Sequence, residues 1–483
     1  MHIPALYVFL ALFLIYWLAL IVLLISDERE PSLTLVWLLV LVFLPVLGVF
    51  LYILGGRDWR VVAKRKGWTQ ALHAQRVEGM SKVYERNEAA SERFVREWRG
   101  TTADKVKRAI SAKQVAKVLP ASSLELFVTG AAKFASLKKD LREAERFIHL
   151  QYFIWEQDAL TAEITAILLD RLAAGVEVRI TYDWIGSIRF GKRELKQLAD
   201  AGAQVHADLA DVLRANYRNH RKIVVIDGDV GYTGGMNMGQ EYIDGAPRFA
   251  AWRDTHVRLT GQAVADLQKL FASRWYEYRR HPESLFEERF MPAPEPCCIE
   301  KGILVEVASQ GVEDYWDMAR RAHLVAIAQA EHTVYIQSPY FIPDYSIYDE
   351  LLNAALSGIE VRLMMTGVVD RPIPYWAAHT YFKRLLEAGG HVHLYMDGFF
   401  HAKTIVIDGD LSAVGTMNMD NRSLKLHKEL MLWVFDKPFA QQVQDSFLVD
   451  LEHCREMTIE DVREIGRLRR FRNQAARLLS EAL

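Results

Sequence analysis

The sequence predicts an α/β protein in which two similar domains follow two membrane-spanning helices. Three observations support this: two long uncharged runs at the N-terminus, an internal repeat with a period of about 180 residues, and an alternation of helical and β-rich segments in each copy. The 483 residues are 51% hydrophobic and 25% charged, as in ordinary globular proteins, so wholesale disorder, a collagen-like chain and a polytopic transporter are excluded.

The two uncharged runs extend from Ile3 to Ser26 and from Pro31 to Gly56. Each exceeds the roughly 20 residues that a helix needs to cross the hydrocarbon core. A cleaved signal peptide would have a basic start and a shorter apolar core. We therefore expect two spanning helices joined by a turn at Asp27–Glu30, with Pro45 tolerated inside the second. The alternative is one span and a membrane-associated hairpin.

Charge sets the expected orientation. The chain leaves the second run through a basic cluster, which consists of Arg57, Arg60, Lys64, Arg65 and Lys66. Because basic residues stay on the cytoplasmic side, we expect both termini and the soluble body to be cytoplasmic. The residues after Gly56 contain 58 basic and 58 acidic side chains. This neutral body lacks the basic field of a nucleic-acid-binding protein.

The repeat is visible in short matching stretches. Residues 175–179 (GVEVR) recur as 358–362 (GIEVR), and Ala201-Gly202 recurs as Ala388-Gly389. An apolar helical segment precedes each glycine and a β-rich run follows it, which predicts βαβ units and a mostly parallel sheet. The predicted divisions are 1–56 for the spanning helices, 57–118 for a membrane-proximal helical segment, 119–291 and 297–455 for the two domains, and 456–483 for a basic amphipathic helix.

The C-terminal segment from Thr458 to Leu483 combines arginines with apolar residues at helical spacing. This pattern fits a helix that contacts anionic lipid headgroups, and it equally fits a solvated helix packed on its own domain.

The three cysteines, Cys297, Cys298 and Cys454, form no C-x-x-C pair. They predict neither a disulfide framework nor a zinc site.

The strongest motif is H-x-K-x4-D-G, which occurs once in each copy. The first copy has His220, Lys222 and Asp227, and the second has His401, Lys403 and Asp408. An asparagine follows each histidine by 17 residues, namely Asn237 and Asn418. Two copies with the same offsets inside a repeat are not a chance match.

The spacing predicts local geometry. The residues after each lysine are β-branched, so each motif lies on a strand, and His220 and Lys222 leave the same face of it. Gly-Asp at 228–229 and at 409–410 are signals for two-residue hairpins. That register places His220 opposite Asn237 and, in the second copy, His401 opposite Asn418. Asp227 and Asp408 are expected to brace the turns.

These residue types suit chemistry at phosphorus. A neutral imidazole is a nucleophile, an imidazolium is a general acid, and lysine and asparagine donate to phosphate oxygens. The ammonium beside each histidine disfavours a divalent cation, so we expect no metal and no cofactor. Each histidine needs a carboxylate on its second nitrogen. We expect Glu429, which follows His401 by 28 residues, and Asp254 of the first copy to be these carboxylates.

These motifs resemble the phospholipase D superfamily and, within it, the bacterial cardiolipin synthases. The matching stretches are 219–223 (NHRKI), 234–237 (GGMN), 252–254 (WRD), 338–341 (SPYF) and 415–418 (GTMN). The resemblance implies two tandem α-β-α sandwich domains, related by a pseudo-two-fold axis, that share one active site. It also implies residence in the bacterial inner membrane.

The resemblance further implies a reaction. The phosphatidyl group of one phosphatidylglycerol passes to a second, giving cardiolipin and glycerol, through a phosphatidyl-histidine intermediate. By analogy His220 is the nucleophile and His401 the acid and then the base, although the two copies are symmetric in sequence. Catalytic roles are expected for the histidine, lysine and aspartate of each motif, and phosphate binding for Asn237 and Asn418. No nucleic-acid partner is expected, and a homo-oligomer is left open. A hydrolytic phospholipase, a tethered nuclease and a non-enzymatic scaffold are the competing interpretations.

Overall fold

The computed structural model describes residues 3–25, 31–56, 68–188, 192–208, 217–277, 284–311 and 316–479. The strands, in chain order, are β1 (Leu119–Ala121), β2 (Ser123–Phe127), β3 (Phe147–Tyr152), β4 (Glu177–Asp183), β5 (Gln204–Asp208), β6 (Ile223–Ile226), β7 (Val230–Gly234), β8 (Trp252–Arg253), β9 (His256–Thr260), β10 (Ile303–Gln310), β11 (Thr333–Gln337), β12 (Phe341–Ile342), β13 (Glu360–Thr366), β14 (His391–Tyr395), β15 (Phe399–Phe400), β16 (Thr404–Ile407), β17 (Leu411–Gly415), β18 (Met419–Asp420), β19 (Glu429–Phe435) and β20 (Cys454–Met457).

Two large sheets repeat one topology. The first has the order β2-β9-β7-β6-β3-β4-β5. The second has the order β10-β19-β17-β16-β11-β13-β14 at its centre, with β1 and β20 added at its edges. Each strand of the first sheet therefore has a counterpart at the same position in the second. The predicted internal repeat and the mixed α/β class are confirmed.

The expectation of a mostly parallel sheet is wrong. Within the two large sheets, the parallel strands are β3, β4 and β5 and their counterparts β11, β13 and β14. The other pairs of the first sheet are antiparallel. The motif strand β6 returns through a short hairpin into β7, and a hairpin necessarily gives antiparallel neighbours. The helix–glycine–strand pattern covers only the parallel part of each half.

The two halves pack against each other through a shared apolar core. One buried cluster contains Ile223 and Val225 of β6 together with Val406 of β16 and Val414 of β17. Strand β1, which the predicted divisions assign to the first domain, pairs with β10 of the second sheet. These contacts bring the starts of β6 and β16 to the same region of the molecule.

The helices of the body cover the sheets. They are Trp68–Arg86, Glu88–Trp98, Thr102–Ser111, Gly130–Glu143, Ala159–Ala173, Lys192–Asp200, Glu241–Asp244, Val264–Glu277, Pro296–Lys301, Met318–Ala328, Tyr345–Leu356, Pro372–Glu387, Asn421–Lys425, Lys437–Leu451, Ile459–Arg463 and Arg467–Arg477, with a 3-10 turn at Glu288–Phe290. Gly175 and Gly358 follow equivalent helices with φ of 88° each, as their place in the repeat predicts.

The N-terminal helices differ from the predicted pair. The first apolar run forms one helix, Ile3–Ile25, but the second is divided into Pro31–Phe43, Pro45–Leu51 and a π-helical turn, Tyr52–Gly56. Pro45 ends the regular hydrogen bonding because it has no N–H and its ring crowds the preceding turn. Within the described ranges, no helix qualifies by length and apolar character as a membrane span. The predicted turn at Asp27–Glu30 and the basic cluster at 57–66 lie outside the described residues.

The C-terminal segment, predicted as one helix from Thr458, is two. They are Ile459–Arg463 and Arg467–Arg477, separated around Gly466. The second helix packs on Pro372–Glu387 and buries Asn473 and Ala476. Residues 480–483 lie outside the described part of the chain.

Candidate active site

The two histidine–lysine pairs occupy equivalent places just before β6 and β16. His220 and His401 are 6% and 9% exposed, and both lysines are buried as well. Lys222 Nζ donates to the His220 carbonyl oxygen at 2.7 Å, and Lys403 Nζ donates to the His401 carbonyl oxygen in the same way. Each half therefore presents an imidazole and an ammonium group from one short backbone segment.

Each histidine is bound to a carboxylate of the other half. Nδ1 of His220 lies 3.0 Å from Oε1 of Glu429, and Nδ1 of His401 lies 2.7 Å from Oδ2 of Asp254. Glu429 and Asp254 hold equivalent register positions, and each contacts the histidine of the opposite copy rather than that of its own. The spacing in sequence, which sets Glu429 after His401, does not reveal that the partners are exchanged. Because Nδ1 is engaged in both cases, Nε2 is the nitrogen left for chemistry.

Backbone pairing between the halves explains the exchange. Asn219 forms a parallel bridge with Lys428, and the His220 N–H donates to the Lys428 carbonyl oxygen at 3.0 Å. In the other half β15 pairs in parallel with β8, and the His401 N–H donates to the Arg253 carbonyl oxygen at 2.7 Å. Each histidine thus lies beside the chain segment that carries the opposite carboxylate.

The buried charges influence one another across the halves. Burial and then the charges of Lys222, Lys403 and His401 hold the pKa of His220 well below its usual value. Burial and then Lys403 lower the pKa of His401 to about 4, against the opposing effect of Asp254. The two half-sites are therefore within electrostatic reach of each other, and both imidazoles are neutral near pH 7.

The two lysines are also shifted. Burial lowers the pKa of Lys222 to about 7, with Glu429 opposing it and Lys403 adding to it. Burial lowers the pKa of Lys403 to about 8, against Asp254 and Glu429. An anion placed between these ammonium groups would favour their charged forms.

The asparagines take different positions from those expected. The hairpin pairs Ile223 with Thr233, one residue away from the predicted register, and the second copy is shifted identically. The turn has three residues because Asp227 and Gly228 both adopt positive φ, 55° and 77°. The predicted opposition of His220 and Asn237 is therefore wrong. Asn237 instead accepts the Ile154 N–H at 3.2 Å and donates to the Tyr242 hydroxyl at 3.0 Å.

Asn418 is also buried but makes different contacts from Asn237. Its Oδ1 atom is buried and has no hydrogen-bond partner among the described residues. The asparagine lies one residue before β18, which pairs with β12 of the same half. Its side chain also hydrogen-bonds to Asp420 and lowers the pKa of that carboxyl, so the atom without a partner is the acceptor Oδ1.

The two aspartates of the motifs are not brought to the histidines. The Asp227 carboxylate accepts the backbone N–H groups of Glu145, Arg146 and Phe147 at 2.7–2.8 Å. The Asp408 carboxylate accepts three consecutive N–H groups, 331–333, in the same way. Both aspartates lie at the far ends of β6 and β16 and connect each turn to the start of the central strand.

Comparison with known proteins agrees with this arrangement. A family model described as "Cardiolipin synthase, PLD-like domain" matches residues 137–275 and 324–451, and one described as "Phospholipase_D-nuclease N-terminal" matches residues 13–57. The major cardiolipin synthase ClsA of Bacillus subtilis (strain 168) is 34% identical over 479 residues, with 98% of each chain covered. The chain belongs to the cardiolipin synthase family. Cardiolipin synthase 2 of Staphylococcus epidermidis (strain ATCC 12228 / FDA PCI 1200) is 33% identical over 476 residues, which cover 96% of this chain and 95% of the relative.

The fold has a solved counterpart. The crystal structure of phosphatidylserine synthase from Haemophilus influenzae Rd KW20 aligns with a TM-score of 0.58 and 16% identity. The alignment covers 78% of this chain and 100% of that chain. At this identity the likeness shows the fold alone. The chain is thus an enzyme of the cardiolipin synthase family built from two phospholipase D-like repeats.

The sequence did not reveal a third histidine, His427, in the active site of this cardiolipin synthase family member. The ring of His427 lies 5.8 Å from that of His220, and its Nδ1 atom is 3.8 Å from Oε1 of Glu429. Ligand-type atoms of these three residues lie within 4.8 Å of one another, as in metal sites. The charge of Lys222, which already lowers the pKa of His220, opposes a cation at this place. The position of His427, two residues before Glu429, was the only available signal.

Aromatic rings flank both histidines and were also missed. Phe153 packs edge-on against His220 at 4.7 Å, and Phe399 stacks on His401 at 5.6 Å. Thr416 donates its hydroxyl to Oε2 of Glu429 at 2.5 Å. These contacts restrict the imidazole rings and the carboxylate to one orientation.

Proposed function

We propose that this enzyme transfers the phosphatidyl group of one phosphatidylglycerol to the free hydroxyl of a second and releases glycerol. The observation that carries the proposal is the pair of buried half-sites, in which His220 and His401 each bind a carboxylate of the other half. Membership of the cardiolipin synthase family supplies the lipid class. The Nε2 atoms of both imidazoles remain available for a two-step displacement at phosphorus.

In the first step, Nε2 of His220 attacks phosphorus. The new P–N bond forms as the bond from phosphorus to the glycerol oxygen breaks, and His401 gives its Nε2 proton to that oxygen. His401 is neutral in the free site, but a phosphodiester bound beside it favours the imidazolium form. Lys222 and Lys403 neutralise the non-bridging oxygens, with Asn237 and Asn418 as further donors.

In the second step, the hydroxyl of another phosphatidylglycerol loses its proton to Nε2 of His401. Its oxygen attacks phosphorus, the P–N bond breaks, and cardiolipin leaves with His220 restored. Asp254 and Glu429 stabilise the imidazolium that forms in each half. Asp227 and Asp408 act at a distance by fixing the strands that carry the histidines, rather than by touching substrate.

We assign the chain to two half-site domains, 119–291 and 297–455, related by a pseudo-two-fold axis. The equivalent strand orders of the two sheets support this. The exchanged carboxylates mean that neither half is complete alone. The segments 57–118 and 456–483 are then additions to a single active site.

We also propose that the body works at the cytoplasmic face of the bacterial inner membrane. The N-terminal helices expose large apolar side chains such as Leu14, Phe43 and Val46. The helix Arg467–Arg477 leaves Leu468 and Phe471 largely exposed beside its arginines. Apolar side chains flanked by arginines match the interface of an anionic bilayer.

The test is incubation of the purified full chain with phosphatidylglycerol alone. Cardiolipin with an equal amount of glycerol supports the proposal, whereas phosphatidic acid alone would assign the site to a hydrolase. Trapping of the intermediate by acid quenching, followed by peptide mapping, identifies the nucleophile. An adduct on His401 would reverse the roles of the two histidines.

A further inference from the structure

Three arginines that act on one another electrostatically have no part in the mechanism above. We call Arg218, Arg371 and Arg422 the arginine cluster. Arg218 precedes His220 by two residues, Arg371 is the N-cap residue of the helix Pro372–Glu387, and Arg422 lies on the helix Asn421–Lys425. The three come from separate segments, so the fold and not the local sequence assembles them.

Arg218 is next to the reacting histidine. Its guanidinium lies 5.2 Å above the ring of Phe153, and the same ring packs edge-on against His220 at 4.7 Å. Its Nε donates to Asp183 at 2.8 Å. Arg218 therefore flanks the site of attack with its charge balanced by one buried carboxylate.

The charge of Arg422 is less well compensated than that of Arg218. It is partly buried, and its Nε atom has no hydrogen-bond partner among the described residues. Burial lowers its pKa, Asp420 opposes this, and the charges of Arg218 and Arg371 lower it further. The backbone N–H of Lys428 donates to the Arg218 carbonyl oxygen at 2.8 Å, and that of the adjacent His427 to the Arg422 carbonyl oxygen at 2.9 Å, so these two arginine segments lie side by side.

Asp183 is paired with Arg218, whereas the carboxylates near Arg422 and Arg371 are engaged by other groups as well. Burial raises the pKa of Asp420, whose Oδ1 already accepts the Ser423 N–H at 2.8 Å. Asp370 accepts the Tyr340 hydroxyl at 2.9 Å and lies 3.7 Å from the mostly exposed Arg371. A long ion pair with an exposed arginine contributes little, so Asp370 offsets only part of the charge of the cluster.

Unpartnered nitrogen atoms occur near the cluster. Both ring nitrogens of His427 and Nε of Arg422 lack hydrogen-bond partners among the described residues. The backbone N–H of His427 donates to the Arg422 carbonyl oxygen at 2.9 Å, so the two residues belong to one short, continuous segment. Nitrogen donors without a partner, beside arginine side chains, suit the binding of an anion.

The proposed reaction brings a second anion to the active site. Both substrates are phosphodiester anions, and the two histidine–lysine pairs are used by the phosphate that reacts. During the second step the acceptor lipid brings its own phosphate, which is separated from its attacking hydroxyl by one glycerol unit. Without a cation of its own, this second anion would be repelled by the first.

We propose that the arginine cluster binds the phosphate of the acceptor phosphatidylglycerol and so selects a lipid alcohol over water or free glycerol. This inference rests on the proposed function and names the second substrate subsite. With the acceptor phosphate held, its free hydroxyl reaches the phosphorus of the histidine adduct. The proton of the hydroxyl passes to His401, the O–P bond forms and the P–N bond to His220 breaks.

The experiment compares two reactions of the detergent-solubilised full chain. The first is cardiolipin formation from phosphatidylglycerol, and the second is exchange of labelled glycerol into phosphatidylglycerol, whose acceptor has no phosphate. We expect Arg422→Gln to lower the ratio of cardiolipin formation to glycerol exchange by roughly ten- to a hundred-fold, the value of a charge-assisted contact. Arg422→Lys, which keeps the charge, restores part of the ratio.

Arg258→Gln is the matched control. Arg258 also pairs with a carboxylate, Asp140 at 2.7 Å, but it lies away from the site, so the ratio stays at the wild-type value. An unchanged ratio in Arg422→Gln would overturn the inference, as would an equal fall in both reactions. Wild-type enzyme that makes no cardiolipin at all would instead contradict the proposed function.

A second measurement needs no variant. At fixed phosphatidylglycerol, glycerol 3-phosphate and glycerol are offered to the wild-type enzyme as soluble acceptors. Both carry a primary hydroxyl, but only the first carries a phosphate. We expect glycerol 3-phosphate to be used at least tenfold more efficiently. Equal use of the two acceptors would overturn the inference.

Discussion

Nδ1 of His220 lies 3.0 Å from Oε1 of Glu429, a residue 209 positions later that belongs to the other half of the molecule. The reciprocal contact joins His401 to Asp254 over 147 positions. A carboxylate bound to Nδ1 selects the tautomer with a free Nε2 and stabilises the imidazolium that forms during turnover. Correct packing of the halves is therefore a condition for each histidine to be active.

The first prediction removes one of these charges. Glu429→Gln keeps the size of the side chain but no longer stabilises the His220 imidazole as it reacts. We expect kcat for cardiolipin formation to fall by about 100- to 10,000-fold, the usual contribution of assisted proton transfer. Glycerol release and thermal unfolding are measured together, so that a loss of activity is separated from a loss of fold.

Glu306→Gln serves as the control for Glu429→Gln. Glu306 is also fully buried, but burial raises its pKa to about 8, so it is protonated near pH 7 and its replacement removes no charge. We expect wild-type kcat. Because a raised pKa makes the folded state retain a proton that the unfolded chain releases, this group's stabilisation falls as pH rises from about 4.5 to 8. The stability of Glu306→Gln should not show this fall with pH. A lower kcat in this variant would contradict the use of Glu306 as a residue outside the reaction.

Particular residues show how far the sequence could predict this site. The repeated histidines and lysines were found because their spacing is duplicated. Glu429 was found because it follows His401 by 28 residues, and Asp254 because it holds a similar place in the first copy after a longer loop. The exchange of these two carboxylates depends on packing between the halves, which no local pattern encodes. The hairpin register failed because Asp227 adopts a positive φ, 55°, that lengthens the turn by one residue. Arg422 was missed because its neighbours come from distant segments.

The second prediction concerns pH. Lys222 has a pKa of about 7 and Lys403 of about 8, so both lose their charge as pH rises through this range. Because the ammonium groups bind the anionic substrate, kcat/KM is expected to fall on the alkaline side. Lys222→Arg keeps its charge at every accessible pH, so its alkaline limit moves upward by about one unit, towards that of Lys403, although its maximal rate is lower. A profile of kcat/KM from about pH 5 to 9 gives the answer; an unmoved alkaline limit would exclude Lys222 as its origin.

The third prediction separates Asp227 from the chemistry. Its carboxylate accepts the N–H groups of Glu145, Arg146 and Phe147, and an amide accepts fewer of them. We expect Asp227→Asn to lower the free energy of unfolding by about 1–3 kcal/mol while the folded fraction keeps its kcat. Denaturant unfolding and activity per folded molecule are the measurements. A variant as inactive as His220→Ala but fully stable would show that Asp227 takes part in the reaction.

The fourth prediction tests contact with the bilayer. Leu468 and Phe471 are 87% and 75% exposed, whereas the buried face of the same helix consists of Asn473 and Ala476. A double change to serine should weaken flotation with phosphatidylglycerol-containing vesicles without lowering the melting temperature. Val449→Ser, on another exposed helix position, should leave flotation unchanged. Equal binding of the double variant and wild type would remove this helix from the membrane contact.

The fifth prediction returns to the exchanged carboxylates. Gly235 lies against Asp254 so closely that a Cβ atom would overlap the carboxylate that binds His401. The same position in the other half is Thr416, which has a side chain and donates its hydroxyl to Glu429. The longer glutamate leaves room for the threonine, whereas the shorter aspartate lies directly over the glycine.

We therefore expect Gly235→Ala to displace Asp254 and to break its contact with His401. Because alanine is small and no positive φ is involved at this position, we expect only a modest loss of stability. The fall in kcat should approach that of Asp254→Asn, and the combination of the two changes should be no worse than either alone, since both remove the same interaction. Full activity of Gly235→Ala, or additive losses in the double variant, would mean that the carboxylate reaches His401 by another route.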